Sequence, residues 1–244
     1  MRLKLISCEI FSNEINTLIL DSKHNIEVEY LPKGLHDIGC DKMHLQLQKA
    51  LSIADCAEKY DYILLGYGLC NNGTIGLSTK NIPFVLVRAH DCITLLMGSK
   101  KKYMEYFSAN PATFYLSPGW IQYAAVDDET SIQSQLSMNK SYEELVKEYG
   151  EDNAQFLYET LCEQTINYNK ITYIKTIESD KNFEENARQQ AKDNNWEFDK
   201  IIGDSSLMQR FINAQWNDEE FIIVQPKKKL INSYDEKIFK YKKL

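Results

Sequence analysis

The sequence lacks any long apolar run. The one apolar stretch near the N-terminus, residues 3–10, is short and is interrupted by Lys4 and Glu9, so it does not resemble a secretory signal. No stretch approaches the roughly 20 apolar residues that are needed to cross a bilayer. We therefore expect a cytoplasmic protein that is not inserted in a membrane.

An excess of positive charge is also missing. The chain carries 35 acidic and 28 basic residues, which gives a formal net charge of -7. Because proteins that bind nucleic acids usually present a basic surface, we expect no nucleic-acid partner. The one basic cluster contains residues 227–229 and the lysines at 237, 240, 242 and 243. This cluster follows the last predicted strand, and we expect it to be a solvated tail.

Several sequence motifs are absent as well. There is no Walker motif, and residues 66–68 lack the further glycine of a dinucleotide-binding fingerprint. No two CxxC elements are paired, and we find no internal repeat or low-complexity segment. Since no signal peptide is apparent, the six cysteines are expected to be reduced thiols and not a disulfide framework. Cys56 and Cys162 lie in amphipathic helical patterns and are expected to be core residues.

Apolar strand patterns alternate with helical patterns along the chain. Strands are predicted at residues 3–10, 26–31, 62–65, 83–87, 113–116, 171–177, 196–202 and 221–224. Helices are predicted at residues 13–22, from 41 onward, and at 93–97, 100–107, 183–194 and 205–214. This alternation predicts an α/β fold with a mainly parallel, doubly wound, Rossmann-like sheet.

The pattern also indicates a division into two α/β lobes. Residues 1–122 form the expected N-terminal lobe, and eight of the ten glycines lie there. Residues 123–170 are acidic and form an expected helical connection, in which Ser141 begins a capping box. Residues 171–244 form the expected C-terminal lobe, packed as one unit with the first.

Cysteine and histidine side chains follow the first four predicted strands. Cys8 lies in the first strand, His36 follows the second, Cys70 follows the third, and residues 90–92, His-Asp-Cys, follow the fourth. Ligands bind at the carboxyl ends of strands in open parallel sheets. Thiolate and imidazole are preferred zinc ligands, and a catalytic zinc keeps three protein ligands and one open position.

The predicted metal ligands are therefore Cys8, Cys70 and one of His90 or Cys92. His36 is a reserve ligand, and Cys40 is a further candidate. Iron is an alternative metal, and an iron–sulfur cluster held by Cys8, Cys70 and Cys92 is a further alternative.

A second interpretation makes Cys70 a metal-independent nucleophile. Residues 68–73, Gly-Leu-Cys-Asn-Asn-Gly, resemble a nucleophile elbow, with one extra residue before the second glycine. A helix starting after Cys70 would lower the pKa of its thiol, and His90 with Asp91 could act as the base. Adjacent residues on an extended chain point in opposite directions, however, so His90 and Asp91 need not act together.

The same loops contain the predicted substrate-binding residues for a small molecule. Backbone around Gly68, Asn72 and Gly73 could approach a ligand closely, or the glycines could serve only the turn. Arg88 could bind a carboxylate or phosphate in bidentate fashion, or it could pair with an acidic neighbour. Tyr67 and Trp120 could line the pocket or be core aromatic residues.

The ordered loop motifs resemble those of a known family. The resemblance is carried by residues 66–73, 88–93 with 98–99, 117–120, 35–36 and 149–154. Together they look like the successive blocks of the domain-of-unknown-function family numbered 1638, and they cover most of the chain. The sequence departs from that pattern at Cys40, where the family has a proline-containing turn, so Cys40 is not expected to be a ligand in the family as a whole.

The resemblance implies a prokaryotic, largely anaerobic, cytoplasmic protein that is often associated with corrinoid-dependent methyl metabolism. Combined with the predicted site, it indicates a zinc-type enzyme that transfers a methyl or one-carbon group to a small-molecule thiol. A bound metal would keep such a thiol deprotonated. The alternatives are a metal-independent Cys70 transferase or hydrolase, and a noncatalytic partner of a corrinoid protein.

Overall fold

A computed structural model describes most of the chain. The described residues are 1–36, 39–57, 59–124, 146, 150–151, 168–178 and 182–244. The predicted capping box at Ser141 and the predicted core residue Cys162 lie outside these ranges, as does the side chain of His36. The fold is a mixed α/β fold, as predicted.

Ten strands within the described residues form three sheets. Their bounds are β1 Arg2–Cys8, β2 Asn25–Leu31, β3 Tyr62–Gly66, β4 Phe84–Val87, β5 Thr113–Leu116, β6 Lys170–Lys175, β7 Glu197–Ile202, β8 Phe221–Val224, β9 Lys228–Asn232 and β10 Phe239–Lys243. The central sheet has the order β2-β1-β3-β4-β8. Its first four strands are parallel, and β8 is antiparallel to β4. The central sheet is therefore mostly parallel but mixed.

The central strands are buried because they lie inside a sheet that is covered on both sides. In β3 and β4, Ile63, Leu64, Leu65 and the four residues Phe84–Val87 are almost completely buried. A continuous apolar run is the pattern expected for such strands. It explains why the sequence predicted both strands to within one residue.

A second, fully parallel sheet has the order β5-β6-β7. In this sheet, β5 precedes the acidic segment 123–170 in the chain, whereas β6 and β7 follow it. In the central sheet, one strand that follows the segment, β8, pairs with β4, which precedes it. Each of these two sheets therefore combines strands from both sides of that segment.

Seven α-helices lie within the described ranges. Their bounds are α1 Ser12–Leu18, α2 Cys40–Cys56, α3 Cys92–Met97, α4 Lys100–Ala109, α5 Pro118–Gln122, α6 Phe183–Asp193 and α7 Ser206–Ile212. Short 3-10 helices occur at Glu9–Phe11, Ile19–Asp21 and Lys33–His36. Every one of these helices is too short or too polar to span a bilayer.

Side-chain caps explain where three of the helices begin. Asp91 accepts hydrogen bonds from the amides of the first turn of α3, and Ser99 does the same for α4. Ser117 caps α5, which has Pro118 at its first position. These caps fix the direction in which the chain leaves β4 and β5, so they also orient the residues of the candidate site.

The segments that follow β1 and β5 pack closely against each other. A Cβ atom on Gly119 would lie 1.8 Å from the carbonyl oxygen of Ile10, so only glycine fits there. The hydroxyl groups of Ser12 and Tyr123 are 2.9 Å apart and form a hydrogen bond. The contact places the carboxyl ends of β1 and β5 beside each other.

Two sequence predictions are wrong at the level of local structure. The basic cluster is not a solvated tail: β9 and β10 form an antiparallel hairpin, and Leu230 and Phe239 are buried. Apolar residues between the lysines pack the hairpin against β8 and the central sheet.

The prediction that Cys56 is a core residue is also wrong. Cys56 is exposed, because it lies outside the buried face of α2 that contains Met43 and Leu47.

Candidate functional site

Three cysteines lie at one edge of the central sheet. Cys8 is the last residue of β1, Cys70 follows β3, and Cys92 follows β4. Their side chains are 1%, 4% and 7% exposed, respectively. Since β1, β3 and β4 are neighbours with the same direction, their carboxyl ends place the three cysteines at the same edge of the sheet.

The three thiols are close enough to influence one another electrostatically. Burial raises the pKa of Cys70 to about 12, and the nearby Cys8 and Asp91 raise it as well. Burial also raises the pKa of Cys92 well above its usual value, with Asp91, Cys70 and Cys8 acting in the same direction. Without a bound cation, Cys70 and Cys92 are therefore protonated at neutral pH.

An unusual backbone conformation holds Cys70. Cys70, Asn71 and Asn72 have φ angles of 45°, 51° and 65°, which form a short left-handed run without glycine. Each such residue costs roughly 1–2 kcal/mol. The loop is held by Cys70 N–H, which donates to the carbonyl oxygen of His90 at 3.0 Å, and by Thr74, whose hydroxyl donates to the carbonyl oxygen of Gly68 at 3.0 Å. Strain that surrounding contacts maintain in this way is common at functional sites.

No helix follows Cys70. Residues 71–76 form turns, so the expected lowering of the thiol pKa by a helix N-terminus does not occur. The two glycines of the loop allow close packing. A Cβ atom on Gly68 would lie 2.7 Å from the carbonyl oxygen of Ala89, and a Cβ atom on Gly73 would lie 2.5 Å from the sulfur of Met43. Asn72 is exposed.

Tyr67 lies directly after β3 and is 2% exposed. Its hydroxyl group has no hydrogen-bond partner among the described residues. Burial raises the pKa of Tyr67 well above its usual value, and Cys8 and Cys70 are the largest electrostatic contributors. A buried hydroxyl without a partner costs about 1–3 kcal/mol, so this phenol is a candidate donor to a ligand beside the thiols.

Trp120 and Lys33 extend the site beyond the thiols. The Trp120 side chain lies close enough to Cys92 to oppose the rise in the pKa of that thiol. The ammonium group of Lys33 lies over the Trp120 ring, 5.5 Å from its centroid. Lys33 is only 6% exposed, and no described carboxylate forms an ion pair with it. Lys33 was not among the residues predicted from the sequence, although it lies two residues after the end of β2 and so follows the same strand-end rule.

The two proposed catalytic groups after β4 are not arranged as a base and its orienting partner. His90 is exposed. One carboxylate oxygen of Asp91 accepts hydrogen bonds from the amides of Ile93 and Thr94, and the other accepts one from the Tyr103 hydroxyl at 2.9 Å. Asp91 is thus occupied in capping α3.

Arg88 forms internal contacts with its whole guanidinium group. It is 4% exposed and donates to the carbonyl oxygens of Asp218, Phe221, Lys237 and Phe239 at 2.6–3.0 Å. It also pairs with the Asp218 carboxylate at 3.0 Å. Of the two alternatives left open by the sequence, these contacts favour pairing with an acidic neighbour.

Replacing Arg88 should therefore reduce stability. Arg88→Lys keeps the charge but leaves buried carbonyl oxygens without a donor, so we expect the free energy of unfolding to fall by about 2–4 kcal/mol. Urea unfolding measures this loss. Arg188→Lys is the control, because Arg188 is half-exposed and its pair with Glu184 should contribute less than about 1 kcal/mol. Equal stability of the two variants would contradict the structural role of Arg88.

The remaining predicted metal ligands lie apart from the thiols or are not described. Cys40 is exposed at the start of α2, where its sulfur contacts the Asp41 carboxylate at 3.6 Å. The backbone of His36 ends a 3-10 helix after β2, but its side chain lies outside the described part of the structure. Within the described ranges, no three Cys, His, Asp or Glu side chains are already spaced as ligands of one metal ion.

A family model described as "Protein of unknown function (DUF1638)" matches residues 30–212, about three quarters of the chain. The matched range contains Lys33, Tyr67, Cys70, Cys92 and Trp120, and it begins after Cys8. No curated protein and no solved structure shows a significant match to the chain.

Proposed function

The chain belongs to the DUF1638 family, and from that premise we propose that it is a metal-dependent enzyme whose zinc-type site acts on a small-molecule thiol. The observation that carries this proposal is the burial of Cys8, Cys70 and Cys92 at the ends of three neighbouring parallel strands. The doubly wound, Rossmann-like topology is part of the proposal. It is supported by the strand order, in which β2 lies on one side of β1 and β3 and β4 lie on the other.

The donor set fits zinc by its chemistry. Three thiols are the soft ligands that zinc or iron prefers, and three protein ligands leave one position open. Burial and the neighbouring Cys and Asp residues raise the pKa values of Cys70 and Cys92, and a bound divalent ion would lower both values. Because the described side chains are not already spaced as ligands, the proposal requires that the three sulfurs move closer together when the metal binds.

A bound metal would keep the sulfur of a small thiol deprotonated at neutral pH, which makes that sulfur a nucleophile. The protein's own residues would position the substrate. The Tyr67 hydroxyl group, which has no partner among the described residues, would donate a hydrogen bond to a substrate atom beside the thiols. Trp120 would form an apolar wall of the site. The Lys33 ammonium group, which lies over the Trp120 ring, would pair with an anionic group of the substrate.

We propose methyl or one-carbon transfer to the substrate sulfur as the reaction class. A new carbon–sulfur bond forms while the carbon's bond to its donor breaks, and the thiol proton is released when the sulfur binds. A corrinoid protein is the donor proposed from the family resemblance. Burial of Cys70 and exposure of His90 favour this function over a metal-independent nucleophile.

Cobalt(II) titration tests the proposal, because cobalt replaces zinc and its thiolate bonds absorb in the near ultraviolet. We expect one equivalent of cobalt to produce this absorbance in wild-type protein and in the control Cys40→Ser, whose cysteine is exposed. Cys70→Ser should lose most of it. Addition of 2-mercaptoethanol, a small thiol probe, should increase the absorbance. Absence of any thiolate band in wild-type protein would refute the metal site, and a band that is indifferent to added thiol would refute the substrate class.

A further inference from the structure

A second cavity lies at the carboxyl edge of the β5-β6-β7 sheet, apart from the cysteines. Its volume is about 310 Å³. Residues that follow β6 and β7 form one wall and α1 forms the other; the lining residues are Glu14, Thr17, Leu18, Thr176, Ile177, Glu178 and Ser205. The carboxyl ends of parallel strands are where ligands bind in open sheets, and the volume suits a small molecule.

Glu14 is the unusual residue of this cavity. It is 4% exposed, and one of its carboxylate oxygens accepts a hydrogen bond from the Thr176 hydroxyl. The other oxygen, Oε2, has no hydrogen-bond partner among the described residues. No described Lys, Arg or His forms an ion pair with Glu14. A buried acid in this condition is costly, and a ligand that supplies a donor would remove the cost.

The surroundings of Glu14 do not supply a positive charge. Tyr30 of β2 and Tyr173 of β6 face it closely enough for Glu14 to raise the pKa of both phenols. Glu178 is also acidic, and Lys175 is already paired with it at 2.7 Å. Burial raises the pKa of Glu14, and its hydrogen bond with Thr176 opposes that rise only in part.

The cavity therefore has the polarity of a cation-binding site. Two carboxylic acids and the hydroxyl groups of Thr17, Thr176 and Ser205 line it, and no basic residue is among its described lining residues. An anion would be repelled by the carboxylates. We propose that this cavity binds a small hydroxylated organic ammonium compound, with its N–H groups donating to Glu14 and its hydroxyl group bonding to the lining threonines.

Binding should be linked to a proton. Burial raises the pKa of Glu14, whereas an ammonium group favours the ionised form, so binding should lower that pKa. Affinity should therefore fall as the pH is lowered through the pKa of Glu14, and binding at a pH near that pKa should release protons. Burial raises the pKa of both Tyr30 and Tyr173 to about 12, so these phenols do not titrate in the acidic to neutral range and do not account for this release.

Calorimetric titration with ethanolamine tests the proposal, and ethylene glycol is the uncharged probe of similar size. In two buffers with different ionisation enthalpies, wild-type protein should bind ethanolamine with release of protons, and it should bind ethylene glycol at least about tenfold more weakly. Glu14→Gln should weaken ethanolamine binding by roughly 10–100-fold and abolish the proton release.

Two further variants keep the outcome interpretable. Glu105→Gln removes an exposed carboxylate of α4 and should bind ethanolamine like wild type. Thr17→Leu changes an exposed helical residue at the cavity wall and should weaken binding without loss of stability. Binding by Glu14→Gln or Thr17→Leu that equals wild type, equal binding of the two probes, or no binding of ethanolamine to wild type would overturn the proposal.

Discussion

Iodoacetamide should alkylate Cys40 and Cys56 in the folded, metal-free protein at least roughly 100 times faster than Cys70. Cys40 and Cys56 are exposed, whereas Cys70 is 4% exposed and has a pKa raised to about 12 by burial. At neutral pH its thiolate population is then lower by roughly 3.5 powers of ten than that of an ordinary thiol. A more basic thiolate is intrinsically more reactive, which offsets about 1.5 of these powers of ten and leaves a rate difference of about 100-fold. The poor access of iodoacetamide to the buried sulfur should slow Cys70 further.

Mass spectrometry of peptides after timed alkylation measures each rate separately. Cys92 should be as slow as Cys70, because it is also buried and its pKa is raised in the same way. All cysteines should react at similar rates in concentrated guanidinium chloride, which is the control for sequence effects. Fast alkylation of Cys70 alone in the folded protein would contradict the pKa assigned to it and would support the metal-independent nucleophile.

The chain order of strands and helices could be predicted from the sequence because it depends on local periodicity. β5 and β8 have the predicted bounds, and β3 differs from its prediction by one residue. The hairpin of β9 and β10 was missed because its lysines mask the alternation of apolar residues such as Leu230 and Phe239. The antiparallel position of β8 in the central sheet depends on a pairing with β4 more than 130 residues away, for which the sequence has no local signal.

The candidate site could be predicted only where the strand-end rule applies. That rule predicts the common sheet edge at which Cys8, Cys70 and Cys92 lie, because this placement requires only the order and direction of three strands. The role of Arg88 depends on Asp218, which approaches it only in the folded chain. Lys33 and Glu14 are notable for burial without an ion pair among the described residues, a property that no sequence pattern reveals.

Removal of any one of the three thiols should abolish stoichiometric metal binding. A site with three protein ligands loses most of its affinity for zinc when one thiolate is replaced by a hydroxyl, because zinc prefers sulfur and nitrogen donors. Cys8→Ser, Cys70→Ser and Cys92→Ser should therefore behave alike. Cys40→Ser and Cys56→Ser are matched controls, since both change an exposed cysteine of α2.

Zinc binding should also be pH-dependent in a defined direction. Because burial holds the Cys70 and Cys92 thiols in their protonated form, zinc must displace these protons, and the apparent affinity should rise with pH. Circular dichroism and urea unfolding of the metal-free variants show whether a substitution has unfolded the chain. Loss of metal counts as support only in variants that remain folded.

Elemental analysis of anaerobically purified protein is the most direct measurement of the metal site. We expect close to one zinc or iron per chain in wild type, Cys40→Ser and Cys56→Ser, and little metal in folded Cys8→Ser, Cys70→Ser and Cys92→Ser. A wild-type protein that contains no metal and binds none when zinc is supplied would contradict the proposed function. Equal metal content in all six proteins would show that the metal is bound elsewhere and that the three buried thiols are not its ligands.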